Sequence, residues 1–158
     1  MRKIKPIGII HSPHNSIEDM PIQPKGALEV EGCVVVDEEY AAGLQDLDGF
    51  SHIYLLYSFH EAKRIELRVT PFMDEQTRGV FATRSPLRPN HIGISIVKLI
   101  RVEGNKLFVE GIDVLDETPL LDIKPYIEKF DAVQESASGW QQASDEEIRK
   151  KRSDSRFE

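Results

Sequence analysis

Phe50-Ser51-His52-Ile53-Tyr54-Leu55-Leu56-Tyr57-Ser58-Phe59-His60 carries the strongest strand signal in the chain. Its apolar residues are nearly continuous and rich in aromatics, as in a strand buried on both faces or set in a barrel wall. Similar signals flank it. Residues 94–102 and 106–113 alternate across Glu103-Gly104-Asn105, the pattern of a hairpin. Residues 4–11 and 28–36 read as two further strands, and residues 66–70 and 79–83 as short ones. Residues 13–26 hold three prolines and form a loop of fourteen residues, a length at which loops tend to be functional or disordered. Residues 37–47 fit one short helix, with Asp37 as N-cap and Tyr40, Ala41, Leu44 and Leu47 on one face. Residues 114–125 read as irregular. Short strands with a single short helix predict a mainly β fold, a small β-barrel or folded mixed sheet. Beyond about residue 131 the character changes. Ser144-Asp145-Glu146-Glu147 is a capping box opening a charged helix, so a C-terminal helical appendage is expected, anchored to the barrel by Trp140.

At 158 residues the chain is read as one domain able to bury a core. No apolar run approaches the roughly 20 residues of a membrane helix. The first apolar stretch is too short for a signal peptide, and a cytoplasmic location is expected. Cys33 is the single cysteine, so no internal disulfide can form. Its place before Val34-Val35-Val36 predicts a small core residue. The net charge of −7 weighs against nucleic-acid binding, which draws affinity from phosphate contacts. The charge is uneven, however. Residues 63–88 set Lys63, Arg64, Arg68, Arg78, Arg84 and Arg88 against Glu66, Asp74 and Glu75, which leaves room for a basic face.

Residues 79–93 place Arg84 and Arg88 with Pro86, Pro89 and Asn90 between two strand-like ends. Each proline fixes φ and restricts its predecessor, so the guanidinium groups are held on a stiff loop. Such groups suit a phosphate, a carboxylate or a nucleotide edge. Between Asp113 and Asp122, acids interleave with Val114, Leu115, Leu120 and Leu121, which sets some carboxylates beside a partly buried site. Two readings stand: an internal ion pair from Asp113 or Asp116 to Arg84 or Arg88, or a pocket rim offering carboxylates to a ribose or a cation. The histidines match no HExxH pattern, and His52 and His60 on one strand would lie roughly 26 Å apart, so no metal is expected. The lack of alternating β and α segments excludes a Rossmann-type cofactor domain.

Gly79-Val80-Phe81-Ala82-Thr83-Arg84-Ser85 followed by Arg88-Pro89-Asn90-His91-Ile92-Gly93 resembles the signature of the TsaA-like (TrmO) family. A second block, Asp113-Val114-Leu115-Asp116 with Thr118-Pro119-Leu120-Leu121-Asp122-Ile123-Lys124-Pro125-Tyr126, agrees with it. Gly8-Ile9-Ile10-His11-Ser12-Pro13, Gly43-Leu44 and Phe50-Ser51-His52 stand in the same order, and the resemblance spans about residues 5–127. It implies an S-adenosyl-L-methionine-dependent tRNA adenine-N6 methyltransferase on a small β-barrel, acting as a homodimer. The implied substrate is the N6 amine of a threonylcarbamoyl-modified adenosine beside the anticodon.

By position, the resemblance implies cofactor contacts at Pro21, Ile22, Gln23, His60, Glu61, Arg84, Ile94, Asp113, Val114, Leu115 and Asp116. Arg84 and Asp116 are the implied catalytic residues. Arg84 is expected to pair with a carboxylate of the cofactor or of the threonyl group, and Asp113 and Asp116 to position ribose or amine groups. Ile22 stands where some relatives carry a basic residue, Glu61 replaces an amide, and His91 stands where proline is common. Residues 1–130 are expected to form the methyltransferase domain and residues 131–158 a tail with a short charged helix. The rival reading is a non-catalytic barrel that binds S-adenosyl-L-methionine or a nucleotide as a sensor, which the negative charge favours.

Overall fold

The computed structural model describes residues 1–18 and 20–157. Its strands are β1 (Gly8–His11), β2 (Glu31–Val36), β3 (His52–Ser58), β4 (Arg68–Val69), β5 (Arg78–Gly79), β6 (Ile92–Glu103), β7 (Lys106–Glu110) and β8 (Thr118–Pro125). Six of them close a barrel in the order β1-β2-β7-β6-β3-β8, every neighbour antiparallel. The fold is thus mainly β, as expected.

The inward face follows from period-two alternation. In β3, Ile53, Leu55 and Tyr57 are buried while the residues between them are partly exposed, so this strand is a barrel wall with one face inward. Ile10, Val34, Val36, Val97, Leu99, Leu107, Val109 and Leu120 fill the interior from the other strands. Cys33 has the opposite parity. It lies half-buried on the outer face across from Phe108, so the expectation of a core cysteine is corrected. The hairpin between β6 and β7 turns at Gly104, whose φ of 59° is open to glycine, and the Asn105 side-chain amide donates to Val36 O at 2.8 Å.

Three local expectations change. Residues 118–125 are not irregular: β8 pairs with both β1 and β3 and closes the barrel. Pro119 and Pro125 hid that strand, because proline withholds the N–H that a ladder uses. Residues 37–47 form 3₁₀ turns at Glu38–Leu44 and Leu47–Gly49, broken where Asp46 takes a left-handed φ of 67°. Asp37 occupies the N-cap position but makes no capping bond with its side chain. Residues 79–83 do not extend as a strand. β5 pairs briefly with β4, and a 3₁₀ turn at Val80–Ala82 follows.

The β4–β5 ribbon carries its own small core of Val69, Val80, Leu87 and Phe157, with Phe72 packed against it. Helix α1 (Glu128–Asp131) follows β8, and the tail beyond it holds α2 (Asp145–Lys150). Ser144 and Glu147 form the expected capping box. Trp140 anchors the tail through Nε1, which donates to Ala82 O at 2.8 Å, so it grips the arginine loop rather than the barrel wall. No helix among the described residues is long and apolar enough to cross a membrane.

Candidate active site

At one end of the barrel, where β3 leaves and β6 enters, a cavity of about 250 Å³ opens between the barrel mouth, the arginine loop and residues 17–23. Its floor is Tyr57 and Gly93. A Cβ on Gly93 would come within 2.4 Å of the Tyr57 ring, so only glycine lets that ring lie across the mouth. Tyr57 packs edge-on against Phe59, with centroids 5.5 Å apart.

Ser95 stands at inward parity on β6 and is 2% exposed. Its hydroxyl donates to Asp113 Oδ1 at 2.6 Å and lies 2.9 Å from the Tyr57 hydroxyl. With the Ser95 proton committed to the carboxylate, Tyr57 donates to Ser95, and the chain of hydroxyls points at Asp113. Burial pushes the Asp113 carboxyl up to about 7, against the Ser95 hydrogen bond and the nearby Arg84 charge that lower it. Burial likewise raises the Tyr57 phenol well above its ordinary range, with the Asp113 charge adding to it.

Arg84 is exposed on the facing loop, and its Nη1 donates to Gln23 Oε1 at 2.7 Å. The loop is stiff for reasons beyond its prolines. The Thr83 hydroxyl bonds Val80 O at 2.8 Å, and Ser85 N and Leu87 N bond the hydroxyls of Thr83 and Ser85. Arg88 turns back on the loop, donating to Thr83 O at 2.9 Å, and so serves as a brace. His91 has φ 50°, a conformation closed to proline, and its Nδ1–H donates to Pro86 O at 2.7 Å. A ring-to-backbone bond thus holds this position.

Pro21, Ile22, Gln23, His60, Glu61 and Arg84 all line the cavity, as do Ile94, Asp113, Val114 and Leu115. Asp116 does not. It lines an adjoining polar cleft of about 410 Å³ with His14, Lys63 and Glu117, and Ile17, His60, Glu61 and Leu115 form the shared wall. Asp116 Oδ1 accepts from Ser12 N at 3.1 Å and lies 3.3 Å from His11 Nδ1. The Ser12 amide, ahead of His11, holds its carboxyl below the ordinary range. Neither Asp113 nor Asp116 forms an ion pair with Arg84 or Arg88 among the described residues, so the internal-bridge reading is corrected. Barrel closure gave each carboxylate a nearer partner.

Among the residues the sequence reading did not propose for the site, Tyr57, Ser153 and Phe157 line the cavity, and Ser95 stands behind it, bonded to Asp113. Tyr57 and Ser95 had a usable signal, since a serine at core parity needs a reason. Ser153 and Phe157 had none: the tail reaches the cavity only through the tertiary fold.

The family described as tRNA-methyltransferase O N-terminal domain matches residues 9–132. The chain belongs to this family. Among its relatives is a probable S-adenosyl-L-methionine-binding protein of Pyrococcus abyssi, 50% identical over 97% of this chain and 83% of that one. A tRNA (adenine(37)-N6)-methyltransferase of Mus musculus is 35% identical over 82% of this chain but only 32% of its own length. The crystal structure of TrmO from Pseudomonas aeruginosa superposes with a TM-score of 0.76 at 36% identity, over 90% of this chain and 63% of that one. The family model therefore includes most of the barrel and the arginine loop and ends at residue 132, short of residues 144–157, whereas the Pyrococcus abyssi relative aligns over 153 residues.

Proposed function

We propose that this chain binds S-adenosyl-L-methionine in the barrel-end cavity and methylates the N6 amine of an adenosine in tRNA, beside the anticodon and bearing a threonylcarbamoyl group. One observation carries the reading: Asp113 is a partly buried carboxyl with no cationic side chain bonded to it among the described residues, set in an apolar cavity facing a guanidinium that keeps N–H groups beyond the one given to Gln23. A partly buried acid without a bonded cation suits a ligand that brings positive charge, and the Arg84 fork suits one that brings a carboxylate. The cofactor carries both charges and fits that donor set. When bound, it supplies an electrophilic methyl group.

The chain's own residues do the rest. Arg84, fixed by the loop and by Gln23, orients a carboxylate. Asp113, with its carboxyl near neutrality, takes up the proton an amine must lose. Asp116 stays anionic in the polar cleft, where with Lys63 and His14 it positions the acceptor. Residues 1–130 act as the methyltransferase domain. The protein works in the cytoplasm as a homodimer, a state supported by the exposed row Ile94, Ile96 and Ile100 on the outer face of β6.

A second reading, a non-catalytic sensor barrel, is favoured by the charge of −7 and by relatives named only for binding the cofactor. Transfer of a radiolabelled methyl group onto tRNA, with and without threonylcarbamoyl modification, separates the two. Transfer to the modified tRNA alone is expected. Cofactor binding with no transfer to any tRNA supports the sensor.

A further inference from the structure

We infer that the tail, residues 144–157, is a working wall of the cofactor cavity, in which Ser153 pins the ligand-facing loop and Phe157 supplies apolar surface to the ligand. This rests on the cofactor reading above and extends the site beyond the part of the chain that the family match covers.

The loop of residues 13–23 brings Met20, Pro21, Ile22 and Gln23 to the cavity, yet its described residues have no regular structure beyond one bridge residue. A loop of that length cannot hold a side chain in place by itself. The tail holds it. Ser153 N donates to Met20 O at 2.8 Å, and Met20 N returns a bond to Ser153 Oγ at 2.8 Å. The Ser153 hydroxyl donates to Ile17 O. Pro21 and Arg152 form a β-bridge beside these bonds. Gln23, two residues on from Pro21, accepts the Arg84 hydrogen bond, so the register of the arginine depends on a loop clamped by the tail.

The second anchor is Phe157, 5% exposed within the small core and 4.8 Å from the Phe72 ring, both rings lining the cavity. Arg156 locks it there. Its guanidinium bonds Pro71 O at 2.8 Å and the Asp154 carboxylate at 2.9 Å, and it lies over Phe72. Helix α2 has only six residues and does not persist on its own; it is held against the turn at Pro24–Ala27. Tail docking and cavity shape are therefore one equilibrium. A ligand that touches Ser153 and Phe157 binds the docked form, and binding must tighten the tail in proportion.

The test uses the full chain. Calorimetric binding of S-adenosyl-L-methionine is compared for the unsubstituted protein, Ser153→Ala, Phe157→Ala and the milder Phe157→Leu. Trypsin cleavage at Lys150, Lys151 and Arg152 is timed with and without the cofactor. Phe157→Ala should weaken binding about tenfold or more and Ser153→Ala severalfold. Phe157→Leu should recover most of the loss, and the cofactor should slow cleavage of the unsubstituted tail. Unchanged affinity in Ser153→Ala and Phe157→Ala, with cleavage indifferent to cofactor, overturns the role of the tail alone. Failure of the unsubstituted chain to bind the cofactor overturns the cofactor reading, and this inference with it.

Discussion

Asp113 has a single side-chain hydrogen-bond partner among the described residues, the Ser95 hydroxyl. Folded, it keeps its proton to about pH 7, whereas the ordinary carboxyl value is 3.8. Between those values the folded state holds the extra proton. Its contribution to stability is therefore full below about pH 4 and is lost as pH rises through about 7, by on the order of 4 kcal/mol at most. Urea unfolding near pH 5 and near pH 8 should show that fall, and Asp113→Asn should shrink it; an equal fall in both proteins counts against the assignment. Methyl transfer, which needs the ionised carboxylate, should decline as pH drops below about 7. Arg84 is exposed and bonded to Gln23, so Arg84→Ala should leave stability within about 0.5 kcal/mol while abolishing methyl transfer. Near-normal turnover with an unchanged melting curve would sink that role. Arg84 and Asp113 were legible because an arginine between prolines and an acid among apolar residues are unusual on their own. The bonds they make were not, since both arginines and both carboxylates looked equally free to pair in sequence.

Strand β3 and the β6–β7 hairpin were legible because alternation is a local property of a strand with one face in the core. Strand β8 was not, because two prolines and an acidic preface resemble a loop, and its ladder partners lie more than 60 residues away in β1 and β3. Element packing also sets the β3–β6 contact at Gly93. Gly93→Ala would drive a methyl into the Tyr57 and Phe59 rings, at 2.4 and 2.8 Å. The expected cost is about 1–3 kcal/mol of stability. It should come with a loss of cofactor affinity, as Tyr57 leaves Ser95. A variant with unchanged melting temperature and affinity would show that the rings move aside freely.

Over the whole molecule, a chain of net charge −7 meets a polyanion. The basic stretch has largely spent its charge internally: Arg64 pairs with Glu66, Arg78 with Asp74, and Arg88 braces its own loop. With Arg84 committed to a carboxylate, Lys63 and Arg68 are left for phosphate. Binding to tRNA should therefore weaken only gently with salt, with a slope of about −1 to −2 in log–log form per chain. A slope several times steeper would place the RNA on a different face. The amino-acid sequence by itself determined a mainly β chain, its strongest strands, a stiff arginine loop, a capped tail helix and the family, because periodicity, turn chemistry and motif spacing are all encoded locally. Only the tertiary structure decided that β8 closes the barrel, that Asp113 bonds Ser95 while Asp116 turns to Ser12, and that the tail walls the cavity. Those outcomes depend on contacts between residues 18 to 136 positions apart, such as Ser95 with Asp113, Ser12 with Asp116 and Ser153 with Ile17. Such contacts exist only once the barrel has closed, and no local pattern carries them.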